Sequence, residues 1–477
     1  MSAYYTLDAE SWAKKNFEGI VLGDKRRSRR VIHLAKHLAS SPGRSIPQLF
    51  DNTYAIKATY ELFKQEQATP DNLQEKHRQL VYQELNKAGT YLLIEDTSAL
   101  SWSGNDPVKG LGPIGNSAKG LQGFFLQSII ATRWSNGATN RQTMPIEIMG
   151  LADQQYYVRS SKRKKLKRKF APPHIEDLES RVWEKTINRL PSPPDDEKIR
   201  WVRVCDRGAD IYEVLMQSIK HRYGFVIRSA YDRCIENEDR STLFEHIRAV
   251  AKIGEFSLDL RSRPNHPERT ALLSVASSSV KLKSPQRPGH KRGALQSVQC
   301  SVIRVWEANP PEGIAPLEWI LLCDQVISTF EGALTCINQY ACRWLVEDFH
   351  KALKTGLGAE KLQLEKAHRL FAAISIMSVV ALRLVELRER FRIIPDASAQ
   401  NAGLSDLEVK ILEFRLKRKI QTVKEVSLAI GRLGGHLNRK RDGMPGLITL
   451  WRGMQRLIEL TEGVKLAHNF SFGESFG

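Results

Sequence analysis

Two short apolar segments, each ending in an aspartate, constrain the fold more than any other feature of the sequence. Residues 91–96 read Tyr-Leu-Leu-Ile-Glu-Asp, and residues 201–206 read Trp-Val-Arg-Val-Cys-Asp. Short apolar runs that end at turn residues are typical of buried strands. Because successive side chains of a strand alternate between its faces, only one of Glu95 and Asp96 can point towards a shared site. We therefore predict two buried strands that carry Asp96 and Asp206 at their C-terminal ends.

The segments around these strands alternate between strand and helix patterns, which predicts an α/β (α+β) fold. A single aspartate after a strand is commonly a turn former or a helix cap. Asp210 is the nearby alternative to Asp206 as the second carboxylate of the site, but it falls in a helix predicted over 209–219. Residues 235–325 alternate in strand fashion between turn signals, which indicates a β-strand insertion. Further strands are predicted over 124–133, 144–151 and 223–228, and within the insertion over 256–260, 269–276, 298–306 and 319–322, with a helix over about 175–190.

Residues 340–354 are predicted to form one helix, because nothing in this stretch interrupts one. At about 100° per residue, side chains spaced by three, seven and fourteen return to nearly the same direction. The resulting stripe combines a phenol, a guanidinium, a carboxylate and an ammonium group. A solvated helix face with i,i+4 ion pairs would give the same pattern. The stripe consists of Tyr340, Arg343, Glu347 and Lys354, and it is flanked by His350 and Lys351.

Residues 1–70 are predicted to be helical and to bind DNA. Asp8 and Asp24 can cap the first two helices, and a third helix is predicted over about 51–64. The first turns of the second helix are rich in arginine, although cations near a helix N-terminus oppose the macrodipole. That cost indicates that the arginines serve a ligand, and we favour DNA phosphates over a solvated basic face. These arginines are Arg26, Arg27, Arg29 and Arg30.

The chain from residue 367 onward is predicted to be a helical domain. Amphipathic stretches cover 367–392 and 405–430, Gly434-Gly435 marks a break, and a final helix covers about 446–467. This is more amphipathic helix than a catalytic core should need, so we expect a homodimer in the DNA complex. The predicted domain boundaries are 1–70 for DNA binding, 71–366 for catalysis and 367–477 for dimerisation.

The charge of the chain favours a polyanionic partner. Lys and Arg number 72 against 53 Asp and Glu, which gives a net charge of +19 over 477 residues. A nucleic-acid backbone is the commonest such partner, and an anionic membrane is the rival. The most apolar segment, 370–382, is too short to span a bilayer, and the N-terminus lacks a signal-peptide pattern.

The six cysteines include no Cys-x-x-Cys pair, so we expect a reducing cytoplasm. The basic run at 162–169 is predicted to be a solvated loop.

Three acidic residues could together form a metal site. Mg²⁺ prefers oxygen ligands and retains several waters, so one or two carboxylates per ion suffice. Two ions about 3.5–4 Å apart can activate an attacking oxygen and stabilise a leaving oxygen at phosphorus. Asp96, Asp206 and Glu347 could hold such ions without a general-base histidine. Arg343, Lys351 and Lys354 would bind phosphates, Tyr340 could donate a hydrogen bond to one, and Trp319 could stack on an unpaired base, although a core position explains Trp319 more simply.

These residues and their flanking motifs resemble the DDE transposases of bacterial insertion sequences. The spacing Tyr340-x2-Arg343-x3-Glu347-x6-Lys354 is similar to the Tyr-Arg-Glu-Lys signature of the insertion-sequence-four family, and the similarity covers nearly the whole chain. Asp96 stands in Ile-Glu-Asp-Thr, and Asp206 in Val-Cys-Asp-Arg-Gly-Ala-Asp-Ile. Matching flanks are Leu22-Gly23-Asp24, Pro316-Leu317-x-Trp319, Arg343-Trp344, Phe349-His350-Lys351-Ala352 and Arg432-Leu433-Gly434-Gly435.

The resemblance implies an RNase H-like catalytic core with a β insertion, an N-terminal DNA-binding domain and a C-terminal dimerisation domain. It implies Mg²⁺-dependent cut-and-paste transposition, in which Mn²⁺ should substitute for Mg²⁺. Water nicks one strand at each transposon end, and the freed 3′-OH attacks the other strand to form a hairpin. The hairpin is then reopened by water, and the 3′-OH joins target DNA. Arg228 and Trp319 would grip the distorted end, and Tyr340, Arg343, His350, Lys351 and Lys354 would lie along the DNA.

Two other functions fit parts of the same pattern. An RNase H-like nuclease would cut DNA without joining it, and a strand-transfer product would separate the two. A DNA-binding regulator would explain the charge but not the acids, and it would be indifferent to metal. For the transposase we expect a bacterial cytoplasmic location and action at the nucleoid.

Overall fold

Four helices form the N-terminal region, and their capping residues explain where they begin. Asp8 accepts backbone N–H groups at the start of α1, and Asp24 does so at the start of α2, as predicted. The third helix starts slightly later than expected because Asn52 caps it. The helices are α1 (Ala9–Phe17), α2 (Lys25–Ser40), α3 (Thr53–Leu62) and α4 (Pro70–Leu85). The computed structural model describes residues 8–103, 108–115, 121–135, 146–159, 181–236, 241–260, 268–285, 296–439 and 442–471.

The strands in these residues form one mixed sheet of ten strands. They are β1 (Gly89–Trp102), β2 (Gly112–Pro113), β3 (Gln122–Trp134), β4 (Glu147–Tyr157), β5 (Ile199–Cys205), β6 (Gly224–Arg228), β7 (Gly254–Leu260), β8 (Arg269–Leu282), β9 (Val298–Glu307) and β10 (Glu318–Cys323). Their order is β2-β3-β1-β5-β6-β10-β9-β8-β7, and β4 also pairs with β3. The basic run at 162–169 and part of the helix predicted from 175 lie outside the described residues.

The first strand extends further than the sequence predicts. Strand β1 does not end at Asp96 but continues to Trp102. Its parallel pairing with β5 ends at Glu95 opposite Cys205, whereas its antiparallel pairing with β3 continues. Asp96 therefore lies where one neighbouring strand stops and the other goes on. This position leaves its side chain beside an opening in the sheet rather than beside a turn.

The predicted β insertion is part of the main sheet and does not form a sheet of its own. Strand β10 pairs antiparallel with β6, and β9, β8 and β7 follow outward from it. A short helix, α7 (Leu243–Ala249), precedes these strands. The helices that connect the central strands are α5 (Arg181–Arg189) and α6 (Tyr212–Lys220).

The stretch at 340–354 is not one continuous helix, which corrects the sequence prediction. Helix α8 (Phe330–Ala341) ends before Arg343, and α9 (Trp344–Lys351) begins after it. The Arg343 N–H bonds to the Tyr340 carbonyl, so the chain tightens by one i→i+3 turn there. A π-helical turn over Ala352–Gly356 then carries Lys354. The tightened turn shifts Tyr340 and Arg343 relative to Glu347.

The C-terminal region contains α10 (Ala367–Ile393), α11 (Asp406–Leu416), α12 (Val423–Leu433) and α13 (Leu447–Ser471). The amphipathic stretch predicted over 405–430 consists of two helices, because Lys417 adopts a left-handed conformation with φ 53° and ends α11. The predicted break at Gly434-Gly435 is confirmed, with φ 96° at Gly435. Helix α10 is long and apolar enough to cross a membrane, but most of it is buried inside the protein. It is therefore a core helix.

Three apolar clusters hold these elements together. The largest joins α1–α4, one face of the sheet and helices α8–α10. A second covers the other sheet face beneath α5, α6 and α7. A third lies among the end of α10 and helices α11–α13. Helix α9 therefore packs on the same side of the sheet as the N-terminal helices and α10.

Candidate active site

Asp96 and Asp206 lie level with each other on neighbouring strands. The last parallel pair of β1 and β5 is Glu95 with Cys205, so Asp96 and Asp206 follow at the same height. Asp96 Oδ1 accepts the Thr97 N–H at 2.8 Å. Asp206 Oδ1 accepts the Gly208 N–H at 2.8 Å, which caps a short 3₁₀ helix. The sequence prediction that two strands deliver these carboxylates to one place agrees with this register.

Arg343 connects Asp96 to Glu347. Its Nη1 lies 3.4 Å from Asp96 Oδ2, and its Nη2 is hydrogen-bonded to Glu347 Oε1. The side chains of Asp96 and Arg343 are 17% and 14% exposed, and that of Glu347 is 36% exposed. A strand carboxylate and a helix carboxylate therefore share one partly buried guanidinium.

The electrostatics of Asp96 indicate crowded negative charge. Burial, and then the neighbouring Asp206 carboxylate, raise the pKa of Asp96 to about 6. Glu347 acts in the same direction, whereas Arg343 and the Thr97 N–H oppose the shift. Like charges that face each other in a partly buried site disfavour ionisation, and a cation placed among them would stabilise the charged forms.

The donor set suits a hard cation, although the three acids do not yet converge. They offer oxygen atoms only, which Mg²⁺ prefers. Within the described ranges, no three Asp, Glu, His or Cys side chains are grouped closely enough to hold a metal ion. Arg343 lies between Asp96 and Glu347 and pairs with an oxygen of each.

Glu95 points to the opposite face of the sheet, as the alternation of β1 predicts. Both its oxygens bond to Arg203, at 2.6 and 2.9 Å, and neither side chain is exposed. Arg203 also donates to Ser218 Oγ at 3.0 Å. Glu95 is thus committed to a structural ion pair and is unavailable to the site.

Asp210 is also structural, and it does not lie in helix α6 as predicted. It follows the 3₁₀ turn and is completely buried. Its Oδ2 accepts the N–H groups of Ala230 and Tyr231, and its Oδ1 accepts Arg233. These bonds brace the turn after β6, which leaves Asp206 as the aspartate that faces Asp96.

Several predicted DNA-contacting residues surround the acids. Arg228, at the end of β6, is level with Asp206 and is hydrogen-bonded to the Tyr340 hydroxyl. Lys351 is exposed, and Lys354 is half-buried. Trp319 is half-buried and packs against the largest apolar cluster. Its position agrees with both the stacking and the core interpretations.

The structure buries His350 instead of placing it beside the exposed cations. It is 6% exposed, and its Nε2 lies 3.4 Å from Ser128 Oγ. Burial lowers the pKa of His350 to about 3, so the ring is neutral. Ser128 is the cross-strand partner of Asp96, so His350 packs α9 against the strand that flanks the acids. An amphipathic count over 340–354 could not detect this, because the burial of His350 depends on packing against Ser128 of β3.

Trp344 is a functional candidate that residue patterns alone did not single out. It is 48% exposed, and the Arg343 guanidinium lies 5.5 Å from its ring centroid. An exposed tryptophan beside the acids can stack on a base. The signal for it in the sequence was the Arg343-Trp344 pair, which belongs to the family resemblance but was given no role there.

The arginines of α2 differ in how strongly they are held. Arg26 bonds to its own helix cap, Asp24, at 2.9 Å. Arg27 donates to the Leu22 carbonyl at 2.9 Å. Arg29 is exposed, and Arg30 lies 3.5 Å from the His33 ring nitrogen. The surface of α2 therefore presents Arg29 and Arg30 more freely than Arg27.

Two comparisons with protein families cover the ends of the chain. Residues 9–68 match the model for transposase DNA-binding domains. Residues 379–474 match the model for the transposase Tn5 dimerisation domain. Together they support a Tn5-like transposase. The DNA-binding match covers α1–α3, including the arginines of α2, and the dimerisation match runs from within α10 through α13.

For a Tn5-like transposase, the domain matches support DNA binding at the N-terminal end and homodimer formation at the C-terminal end. Both agree with the order predicted from the sequence. The candidate acids lie between the two matched segments, on β1, after β5 and on α9. The matches therefore imply a DNA-processing enzyme, and neither of them includes these three acids.

Proposed function

We propose that this protein is a DDE transposase of the insertion-sequence-four family that performs cut-and-paste transposition. One observation carries the proposal. Asp96 and Asp206 are level on parallel strands, Arg343 links Asp96 to Glu347, and this constellation lies between DNA-binding and dimerisation segments. The reaction would comprise nicking of each transposon end, hairpin formation and 3′-OH transfer into target DNA.

The sheet supports an RNase H-like catalytic core for this reaction. Strands β4, β3 and β1 are successive antiparallel neighbours, and β5 and β6 continue the sheet parallel to β1. The catalytic carboxylates then come from the first strand, from the end of the next parallel strand and from a later helix. Strands β7–β10 would be the insertion, attached through β10.

Asp96, Asp206 and Glu347 would hold Mg²⁺, and Mn²⁺ is expected to substitute. When bound, the ions would activate the attacking oxygen and stabilise the leaving oxygen at phosphorus. The crowded carboxylates that raise the pKa of Asp96 supply the negative charge that such ions require. Oxygen-only ligands from three separate elements suit a hard cation.

The cations around the acids would bind the DNA strand. Arg343 presents a planar fork that can leave Asp96 and bind a phosphate in two places. Lys351 and Lys354 would contact neighbouring phosphates as point charges, and Tyr340 would donate from its hydroxyl. Trp344 and Trp319 are the candidates for stacking on a base that leaves the duplex.

The test is strand transfer by the purified protein. It would be incubated with Mg²⁺, precut ends of its own transposon and a supercoiled plasmid, and the products would be sequenced. Joined ends flanked by a short target duplication are expected. Glu365→Gln is the matched control for Glu347→Gln, because the Glu365 side chain is 83% exposed and its described ion pair is with Arg369.

Other products would favour the two rival functions. Cleavage of the ends without joining would indicate an RNase H-like nuclease. Binding of the ends without cleavage, and without any effect of metal, would indicate a DNA-binding regulator and would overturn the proposal.

A further inference from the structure

A buried ion cluster ties the helix that carries Glu347 to helix α10. Asp348, the residue after Glu347, accepts a 2.5 Å hydrogen bond from Arg388 Nη1. Arg388 lies forty residues further along the chain, and its side chain is 8% exposed. A charge-assisted bond with this little solvent is stronger than an ordinary surface pair.

Arg388 is fixed from a second side by Glu389. Arg388 Nε and Nη2 lie 2.8 and 2.7 Å from Glu389 Oε1, and the Glu389 side chain is 2% exposed. Arg392 also approaches the same oxygen, at 3.1 Å. Because the guanidinium is planar and rigid, two carboxylates at its edges define its position. Arg388 therefore acts as a fixed clamp on Asp348.

Helix α10 carries this clamp rigidly. It has 27 residues without a break, which corresponds to about 40 Å at 1.5 Å per residue. Its N-terminal half is buried in the main core, and from residue 379 onward it belongs to the dimerisation match. Any displacement of the dimerisation segment along or around this helix would reach Arg388.

Glu347 and Asp348 project in directions about 100° apart on α9. A clamp on Asp348 therefore fixes how far α9 is rotated, and that rotation sets the direction of Glu347. On the other side, His350 contacts Ser128 on the strand opposite Asp96. Helix α9 is thus held between β3 and α10, with Glu347 between the two contacts.

We infer that Arg388 is a positioning residue through which the dimerisation segment sets the orientation of Glu347. The inference rests on the catalytic role proposed above for Glu347. It means that strand cleavage depends on the state of the C-terminal helices and not only on the acids.

The test separates chemistry from binding in the full-length protein. Single-turnover nicking would be measured at saturating transposon-end DNA, and the Kd for the same DNA and the thermal midpoint would be measured separately. Asp348→Ala should lower the nicking rate by about 10- to 100-fold, the size expected for a small misplacement of a catalytic group. Affinity and thermal midpoint should change little, because Asp348 is 35% exposed and Arg388 keeps Glu389.

Two further variants sharpen the result. Asp348→Asn keeps an oxygen that can accept from Arg388, so it should lose less activity than Asp348→Ala. Arg392→Gln is the matched control, because Arg392 pairs with Glu389 on the same helix at 3.1 Å, and this variant should nick at the wild-type rate. An Asp348→Ala variant that nicks as fast as wild type would overturn the inference. Equal losses in Asp348→Ala and Arg392→Gln, together with lower midpoints, would also overturn it. Wild-type protein that binds ends but never nicks them would instead overturn the proposed function of Glu347.

Discussion

Arg203 donates to both oxygens of Glu95, and neither side chain of this pair reaches solvent. The pair links β1 to β5 just before the position in these strands at which Asp96 and Asp206 lie. Two strands that must present their carboxylates at the same height are therefore locked to each other on the opposite face. A shift between β1 and β5 would separate the buried charges, and that would be strongly unfavourable.

Loss of Arg203 should destabilise the protein severely. Arg203→Met leaves a buried Glu95 without its partner, and removal of one member of a buried pair costs about 3–5 kcal/mol. The thermal midpoint should fall by many degrees. Lys252→Met is the control, because Lys252 forms an exposed pair with Glu255 and its loss should leave the midpoint nearly unchanged. Similar midpoints for both variants would contradict the structural role of Glu95–Arg203.

His77 should make stability depend on pH. It is 5% exposed, its Nδ1 bonds to Asn16 Oδ1 at 2.7 Å, and its Nε2 accepts the Leu151 N–H at 2.9 Å. Burial lowers the pKa of His77 from 6.5 to about 3. Below pH 6.5, His77 therefore binds a proton in the unfolded chain but not in the folded protein. The free energy of unfolding consequently falls as the pH drops towards 3.

The expected slope from His77 is about 1.4 kcal/mol of unfolding free energy per pH unit in that window. His77→Gln should reduce the slope between pH 6 and 4, measured as the difference in thermal midpoint between the two pH values. His350 is also buried and neutral, so a residual slope should remain in His77→Gln. An unchanged slope in this variant would contradict the neutral, buried state of His77.

Arg30 should contribute to DNA affinity through its charge. It is half-buried on α2 and lies within the DNA-binding match. Arg30→Ala should weaken binding to end DNA and lower the slope of log K against log salt by about 0.9, the value for one lost phosphate contact. Lys64→Ala serves as a comparison, because Lys64 pairs with Glu61 on α3's C-terminal side and should leave the slope unchanged. Equal slopes for wild type and Arg30→Ala would exclude a phosphate contact by Arg30.

Local chemistry made much of the fold predictable from the sequence. Asp8 and Asp24 identify two helix starts, because a cap bonds within its own first turn. Asp96 and Asp206 could be expected at one level, because both follow the apolar part of a buried parallel strand. Strand β1 ran past Asp96 because its end depends on how far β3 pairs with it, and that pairing is not encoded near residue 96.

Long-range packing explains what the sequence could not predict. The burial of His350 depends on Ser128 in β3, and the clamp on Asp348 depends on Arg388 in α10. Helical periodicity placed His350 beside the cations, but the packing of α9 on β3 buries it. Neither contact leaves a signal in the spacing of residues 340–354.

The most direct test of the central claim is end nicking by Asp96→Asn, Asp206→Asn and Glu347→Gln, each with Mg²⁺ and with Mn²⁺. These changes remove a charge while keeping the shape of the side chain, so end binding and dimer formation should persist. The account predicts that each variant binds transposon ends with the affinity of wild type and nicks none of them with either metal. Wild-type nicking by any one of the three would contradict the assignment of these acids as the catalytic site.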